Sequence, residues 1–205
     1  MDNEPSKKII IAQILVIFLS PVALLYFGIL PYNFRFILLT ISALFIYGII
    51  EHEHWTHKEM GLRMDNFKEA FPFYLVFTIL GICALLFVDH AVNLPDIDSR
   101  ISLIRSWAFF IPISFFQEFG FRSFLVPRLK EIFKNNYIAI IFINTVLFTL
   151  IHVIYPNLGI GLPVAFVAGI FFTWLYLKYP NLLLITISHS ILNIIAVLLG
   201  FFGPH

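Results

Sequence analysis

The chain has 205 residues, of which 60% are hydrophobic, 18% aromatic and only 12% charged, with a mean hydropathy of +0.93. A soluble domain carries about 25% charged residues, and this chain has too few polar side chains to cover a water-facing exterior, so lipid is its main solvent. The formal charge of +1 with no basic block excludes a protein that tracks a nucleic-acid backbone, and the one cysteine, Cys83, excludes an internal disulfide or a cysteine-built zinc site.

A bilayer-crossing helix needs about 20 mostly apolar residues. The first apolar run, 9–30, follows Lys7 and Lys8 as a signal peptide would, but it is too long and no small-residue cleavage site follows it. It reads as a retained first helix. A second run covers 32–50. The hydrophilic stretch from Glu51 to Ala70 comes next and is amphipathic enough to lie along a membrane surface. Its Glu51-His52-Glu53-His54-Trp55-Thr56-His57 segment has metal-ligand residue types, yet histidines at i, i+2 and i+5 do not share a helical face. The segment reads as an interfacial loop with Trp55 as its anchor. Further runs cover 71–88, 107–127, 137–155, 160–177 and 181–202, separated by polar or Pro/Gly punctuation. The expectation is an all-α, polytopic membrane helix bundle of about seven transmembrane helices, forming one integral membrane domain over 1–205.

Orientation follows the positive charges. With the N-terminus inside, the inner segments hold Lys7, Lys8, Lys58, Arg63, Lys68, Arg122, Arg128, Lys130, Lys134 and Lys178, and the outer ones hold Arg35, Arg100 and Arg105. That bias predicts a cytoplasmic N-terminus and, after an odd number of spans, a C-terminal end outside the cell's inner (plasma) membrane.

Ionisable groups inside a span are costly and turn toward the bundle interior. Apart from Arg35 near one end, the spans contain four: Glu118, Arg122, His152 and His189. Glu118 and Arg122 stand at i and i+4, share a face and can pair. His189 and Asn193 have the same spacing, which aims an imidazole and a carboxamide into one space, and Phe148 lies one turn before His152. Gln117 sits about 100° around the helix from Glu118, and Asn144 is a further neutral polar residue in the spans. Interhelical hydrogen-bond clamps are the structural alternative, although Ser, Thr and Asn serve that purpose without the desolvation cost of an acid, a guanidinium and two imidazoles.

These residues resemble a known family. Gln117-Glu118-Phe119-Gly120-Phe121-Arg122 is similar to the Glu-Glu-x-x-x-Arg motif of the CAAX protease and bacteriocin-processing (CPBP, or Abi) family. Phe148-Thr149-Leu150-Ile151-His152 resembles its Phe-x-x-x-His motif, and His189-Ser190-Ile191-Leu192-Asn193 its His-x-x-x-Asn motif. Met60-Gly61-Leu62-Arg63 and the run from Gly169 to Asn193 also look like family sequence, so the resemblance covers a core of about 59–193. It implies a glutamic-type intramembrane endopeptidase, usually bacterial in this short form, acting on a membrane-associated peptide substrate. It assigns catalytic roles to Glu118, Arg122, His152, His189 and Asn193: Arg122 pairs with Glu118, His152 is the base partner, and His189 with Asn193 holds the oxyanion. A prenylated C-terminus, a leader peptide and another membrane segment are all admissible substrates.

The chain departs from the motif at its first glutamate, where Gln117 stands. A carboxamide cannot act as a general base at physiological pH. Three readings stay open: Glu118 takes over as base, His152 is the sole base with Gln117 positioning the water, or the chain is a non-catalytic membrane peptide-binding, immunity or assembly factor. The 100° offset and the Arg122 partner count against the first. No cofactor is expected, with zinc held by Glu118, His152 and His189 as the minority alternative. A transporter would spread buried polarity over paired half-repeats, whereas here it is confined to the fourth, fifth and seventh runs. Counted at about 1.5 Å per residue, His152 lies too far along a straight fifth helix to meet the others, so that span tilts, starts later, or the turn Pro156-Asn157-Leu158-Gly159 dips into the bundle.

Overall fold

The computed structural model describes residues 5–92, 103–155 and 157–201, with the side chains of the fourth helix described from Phe110 onward. The expectations that involve Arg100, the Arg105 side chain, Pro156, Phe202 and His205 lie outside the described residues. Within them the chain is helical and has no strand. We number the helices α1 (Lys7–Tyr26), α2 (Tyr32–His52), α3 (Phe67–Val92), α4 (103–133), α5 (Tyr137–Ile154), α6 (Leu158–Lys178) and α7 (Leu182–Leu198).

α1, α2, α3, α5 and α6 are each long and apolar enough to cross a bilayer. α7 is equally apolar, and its 17 residues make it about 26 Å long. Leu44, Leu80, Phe87 and Ile138 point outward, as expected of a surface that meets acyl chains and not of one that meets water. The chain is an all-α, multi-pass membrane bundle.

α7 occupies the middle. It packs against α3 and α4, while α5 and α6 form a closely packed antiparallel pair and α2 lies against α4. Two asparagines define helix starts. The Asn136 side chain accepts from the Ala139 N–H at 3.1 Å and the Asn181 side chain from the Leu184 N–H at 3.0 Å, which satisfies amides that the first turn leaves unpaired. Asn181, expected as the first residue of the last span, is therefore its N-cap.

Residues 53–66 do not form a surface helix. They make turns docked on one end of the bundle because their apolar and backbone groups find partners there. The Met60 carbonyl accepts from Ser123 Oγ at 2.6 Å and Tyr176 Oη at 3.1 Å, and the Leu182 N–H donates to the Gly61 carbonyl at 2.8 Å. Gly61 has φ +72° and the Tyr176 hydroxyl lies where a Cβ would stand, so only glycine fits both the backbone and the contact. This explains the Met60-Gly61-Leu62-Arg63 pattern physically. Trp55 is half-buried against this end of the bundle: its ring stacks on Phe124 with centroids 5.9 Å apart, and its Nε1–H donates to Glu53 at 3.0 Å. Lys7 Nζ reaches the Ile132 carbonyl at 3.5 Å, so the start of α1 lies at this same end and Arg35, at the start of α2, lies at the other.

Candidate active site

The site begins with an irregularity in α4. Regular α-helix runs to Glu118, and Phe119–Leu125 continues as a π-helix whose every residue is buried. A π segment widens the turn, shifts the faces that follow it and is frequent at functional positions. Here it is braced from two other helices. Asn144 Nδ2 on α5 donates to the Phe121 carbonyl at 2.7 Å, and Thr173 Oγ1 on α6 lies 2.9 Å from Asn144 Oδ1. All three groups are out of contact with solvent, where hydrogen bonds are strong and an unmade one is costly.

Glu118 stands at the entrance to that segment and is 0% exposed, as is Arg122. Its Oε1 lies 2.5 Å from His189 Nδ1 on α7 and 3.3 Å from Arg122 Nη1. Its Oε2 lies 3.2 Å from Arg122 Nε, a charge contact without hydrogen-bond alignment. The guanidinium is sandwiched among aromatic faces, 4.5 Å from the Phe148 centroid and 5.3 Å from that of Phe172, which favours a weakly hydrated delocalised cation over a lysine ammonium. One turn away, Asn193 Nδ2 donates to Ser114 Oγ at 3.1 Å. α4 and α7 therefore run antiparallel and match Ser114 with Asn193 and Glu118 with His189.

The two histidines are held alike. His152 Nδ1 lies 2.8 Å from the Phe148 carbonyl; a carbonyl only accepts, so Nδ1 carries the proton and Nε2 is the nitrogen with the lone pair. His189 Nδ1 faces a carboxylate already paired with Arg122, so it too donates from Nδ1. The Phe148 ring joins them, with centroids 5.1 Å from His152 and 5.7 Å from His189. The α-helical part of α5 stops at Leu150 and His152 sits in the 3-10 turn Ile151–Ile154. The depths agree because α4 runs on to Phe133 instead of ending near Pro127: at about 1.5 Å per residue, Glu118 and His152 each lie roughly 22 Å from that end of their helices.

Arg122, His152 and His189 meet at Phe148, Glu118 joins them through Arg122 and His189, and Asn193 lies one turn beyond His189, bonded to Ser114. Gln117 is not among them. It is 8% exposed, its Oε1 has no hydrogen-bond partner, and it lines a cleft shared with α1, α2 and the end of α5. Among the described residues no three His, Cys, Asp or Glu side chains group as metal ligands. Three contributors escaped the sequence reading. Ser114 completes an i, i+4, i+8 row with Glu118 and Arg122 and was legible by spacing, whereas Thr173 and Phe172 carry no local signal.

Residues 99–195 match the family model of the type II CAAX prenyl endopeptidases, Rce1-like. That stretch, somewhat under half of the chain, holds all three motifs, so the family resemblance that they carry is shown over it. No curated protein and no solved structure gives a match.

Proposed function

We propose that the chain is an intramembrane endopeptidase that cleaves a membrane-associated peptide with water activated by histidine and supported by glutamate. The observation that carries this reading is the enclosed Glu118–His189 hydrogen bond of 2.5 Å beside a second imidazole with the same anchored tautomer. Water attacks the scissile carbonyl carbon while His152 Nε2 takes its proton. The oxyanion that forms is held by the Asn193 Nδ2 N–H that Ser114 does not take, beside the His189 ring that Glu118 keeps in orientation. Collapse breaks the C–N bond, and His152 returns the proton to the leaving amine. Arg122 holds Glu118 in place. Gln117 does not serve as a base.

The reading includes a metal-free site, a single membrane domain, and an orientation in the inner (plasma) membrane with the N-terminus cytoplasmic and the C-terminal end outside. The clustering of Lys7, Arg63 and Arg128 at the end that also holds the 53–66 turns supports that orientation. The substrate class is a membrane peptide, for which the family's name makes a prenylated Cys-a-a-X peptide the first probe. Gln117 at the first motif position favours a second reading, a non-catalytic member that binds such a peptide. Assay of reconstituted native and Gln117→Glu protein on prenylated and unprenylated peptides separates the two. Cleavage by the native chain supports the enzyme; inertness of both proteins with retained peptide binding supports the second reading.

A further inference from the structure

Beside the histidine site lies a cleft of about 100 Å³ lined by α1, α2, α4 and the 3-10 end of α5. Arg35, in the first turn of α2, stands at one end; Leu39, Ser42 and Ile46 follow it along one face of α2, and Gln117 stands on the α4 wall. At about 1.5 Å per residue, the α2 wall from Arg35 to Ile46 is roughly 16 Å long. Ile151 and Ile154, which flank His152 in its turn, line the same cleft.

We propose that this cleft is the path by which water, the co-substrate of hydrolysis, reaches the site from the Arg35 end; the inference rests on the endopeptidase reading above. Two buried polar atoms without partners line it, the Arg35 Nε donor and the Gln117 Oε1 acceptor. Leaving either unsatisfied costs about 1–3 kcal/mol. An acyl chain, the other candidate for an apolar cleft between membrane helices, satisfies neither. Water satisfies both, since it donates and accepts, and the cavity far exceeds the roughly 10–15 Å³ of probe space that one molecule needs. Arg35 is pre-set to hydrate the entrance: its guanidinium lies 3.9 Å from the Tyr32 ring and 4.2 Å from the Phe36 ring, and Nη1 donates to the Tyr32 carbonyl at 3.3 Å. The route opens away from the docked 53–66 turns.

Cysteine accessibility tests this without a substrate. In the full chain with Cys83→Ser, reconstituted in lipid nanodiscs, Leu39→Cys, Ser42→Cys and Ile46→Cys are each exposed to a charged methanethiosulfonate reagent, with the outward-facing Ile41→Cys and Leu44→Cys as lipid controls. Because the reactive thiolate forms only where water solvates it, Ser42→Cys should react at least about tenfold faster than the controls, and rates should fall from Leu39 through Ser42 to Ile46. Thermal melting of each variant shows which are folded, and Leu39→Cys stands in should Ser42→Cys not be. Reaction with a membrane-soluble maleimide but not the charged reagent means the cleft holds hydrocarbon and overturns the proposal. Silence toward both, or the reverse gradient, also overturns it. A reactive cleft in a chain that cleaves no peptide sinks the endopeptidase reading while leaving the hydration of the cleft established.

Discussion

Two buried arginines invite comparison. Arg122 and Arg128 lie six positions apart on α4, both are essentially unexposed, and each combines carboxylates with aromatic faces. Arg128 binds Glu53 at 2.5 Å and Glu131 at 3.0 Å, and those acids keep 19% and 37% of their side-chain surface exposed. Among the described residues Arg122 pairs with a single carboxylate, Glu118, whose exposure is zero, and that glutamate also takes a histidine from another helix. The first arrangement clamps the 53–66 turns to the bundle end, with water able to solvate its acids. In the second the charge is fully desolvated and serves to orient an imidazole. Equal ingredients do different things according to what lies beyond the carboxylate.

Removing each arginine should separate the two. Arg122→Ala leaves Glu118 buried without its cation, at a cost of about 3–5 kcal/mol, so folded yield in detergent and any cleavage should both be lost, and Arg122→Lys should rescue only partly because a point charge cannot span both carboxylate oxygens. Full stability of the Ala variant would erase the distinction. Arg128→Ala should cost less, about 1–3 kcal/mol by thermal melting, because Glu53 and Glu131 can turn to water, and it should spare the site. Gly61→Ala sharpens the clamp's side of the contrast: the strained φ and the Tyr176 contact should lower the melting temperature by a comparable amount.

Smaller effects follow. Chelators should leave cleavage unchanged, and a dependence on added zinc would overturn the metal-free site. In the docked turns, the hydrogen bond from Arg63 is the largest cause holding the Asp65 carboxyl down at about 2. A depressed folded value stabilises above the usual carboxylate range, and that contribution fades as pH falls through about 2. Asp65 is half exposed, so Asp65→Asn should shift melting only slightly at neutral pH, and less still in strong acid.

The Glu118–Arg122 pair and the shared face of His189 and Asn193 were legible because helical spacing and the cost of charge in lipid both act locally in the sequence. Gln117's separation from Glu118 followed from the same 100° step. Other features depend on who meets whom across the bundle. The stacking of Trp55 on Phe124 and the Arg128 guanidinium over its ring join positions about 70 apart, which no local pattern announces. The depth of His152 looks wrong when Pro127 is read as the end of the fourth span, whereas α4 runs on to Phe133 and sets Glu118 at the same depth as His152. Nothing in the apolar runs announces the π-helix after Glu118, nor the Asn144–Thr173 brace that holds it, since a lone Asn and a lone Thr 29 positions apart carry no period.

The central claim, that His152 moves the proton in a peptide hydrolysis organised by Glu118 and His189, is tested most directly by single-turnover cleavage of a membrane peptide by reconstituted native, His152→Ala and Arg128→Ala proteins of equal folded content. The account predicts cleavage by the native chain, a loss of about 100-fold or more in His152→Ala, and a near-native rate in Arg128→Ala. A His152→Ala protein that cleaves as fast as the native chain would contradict it.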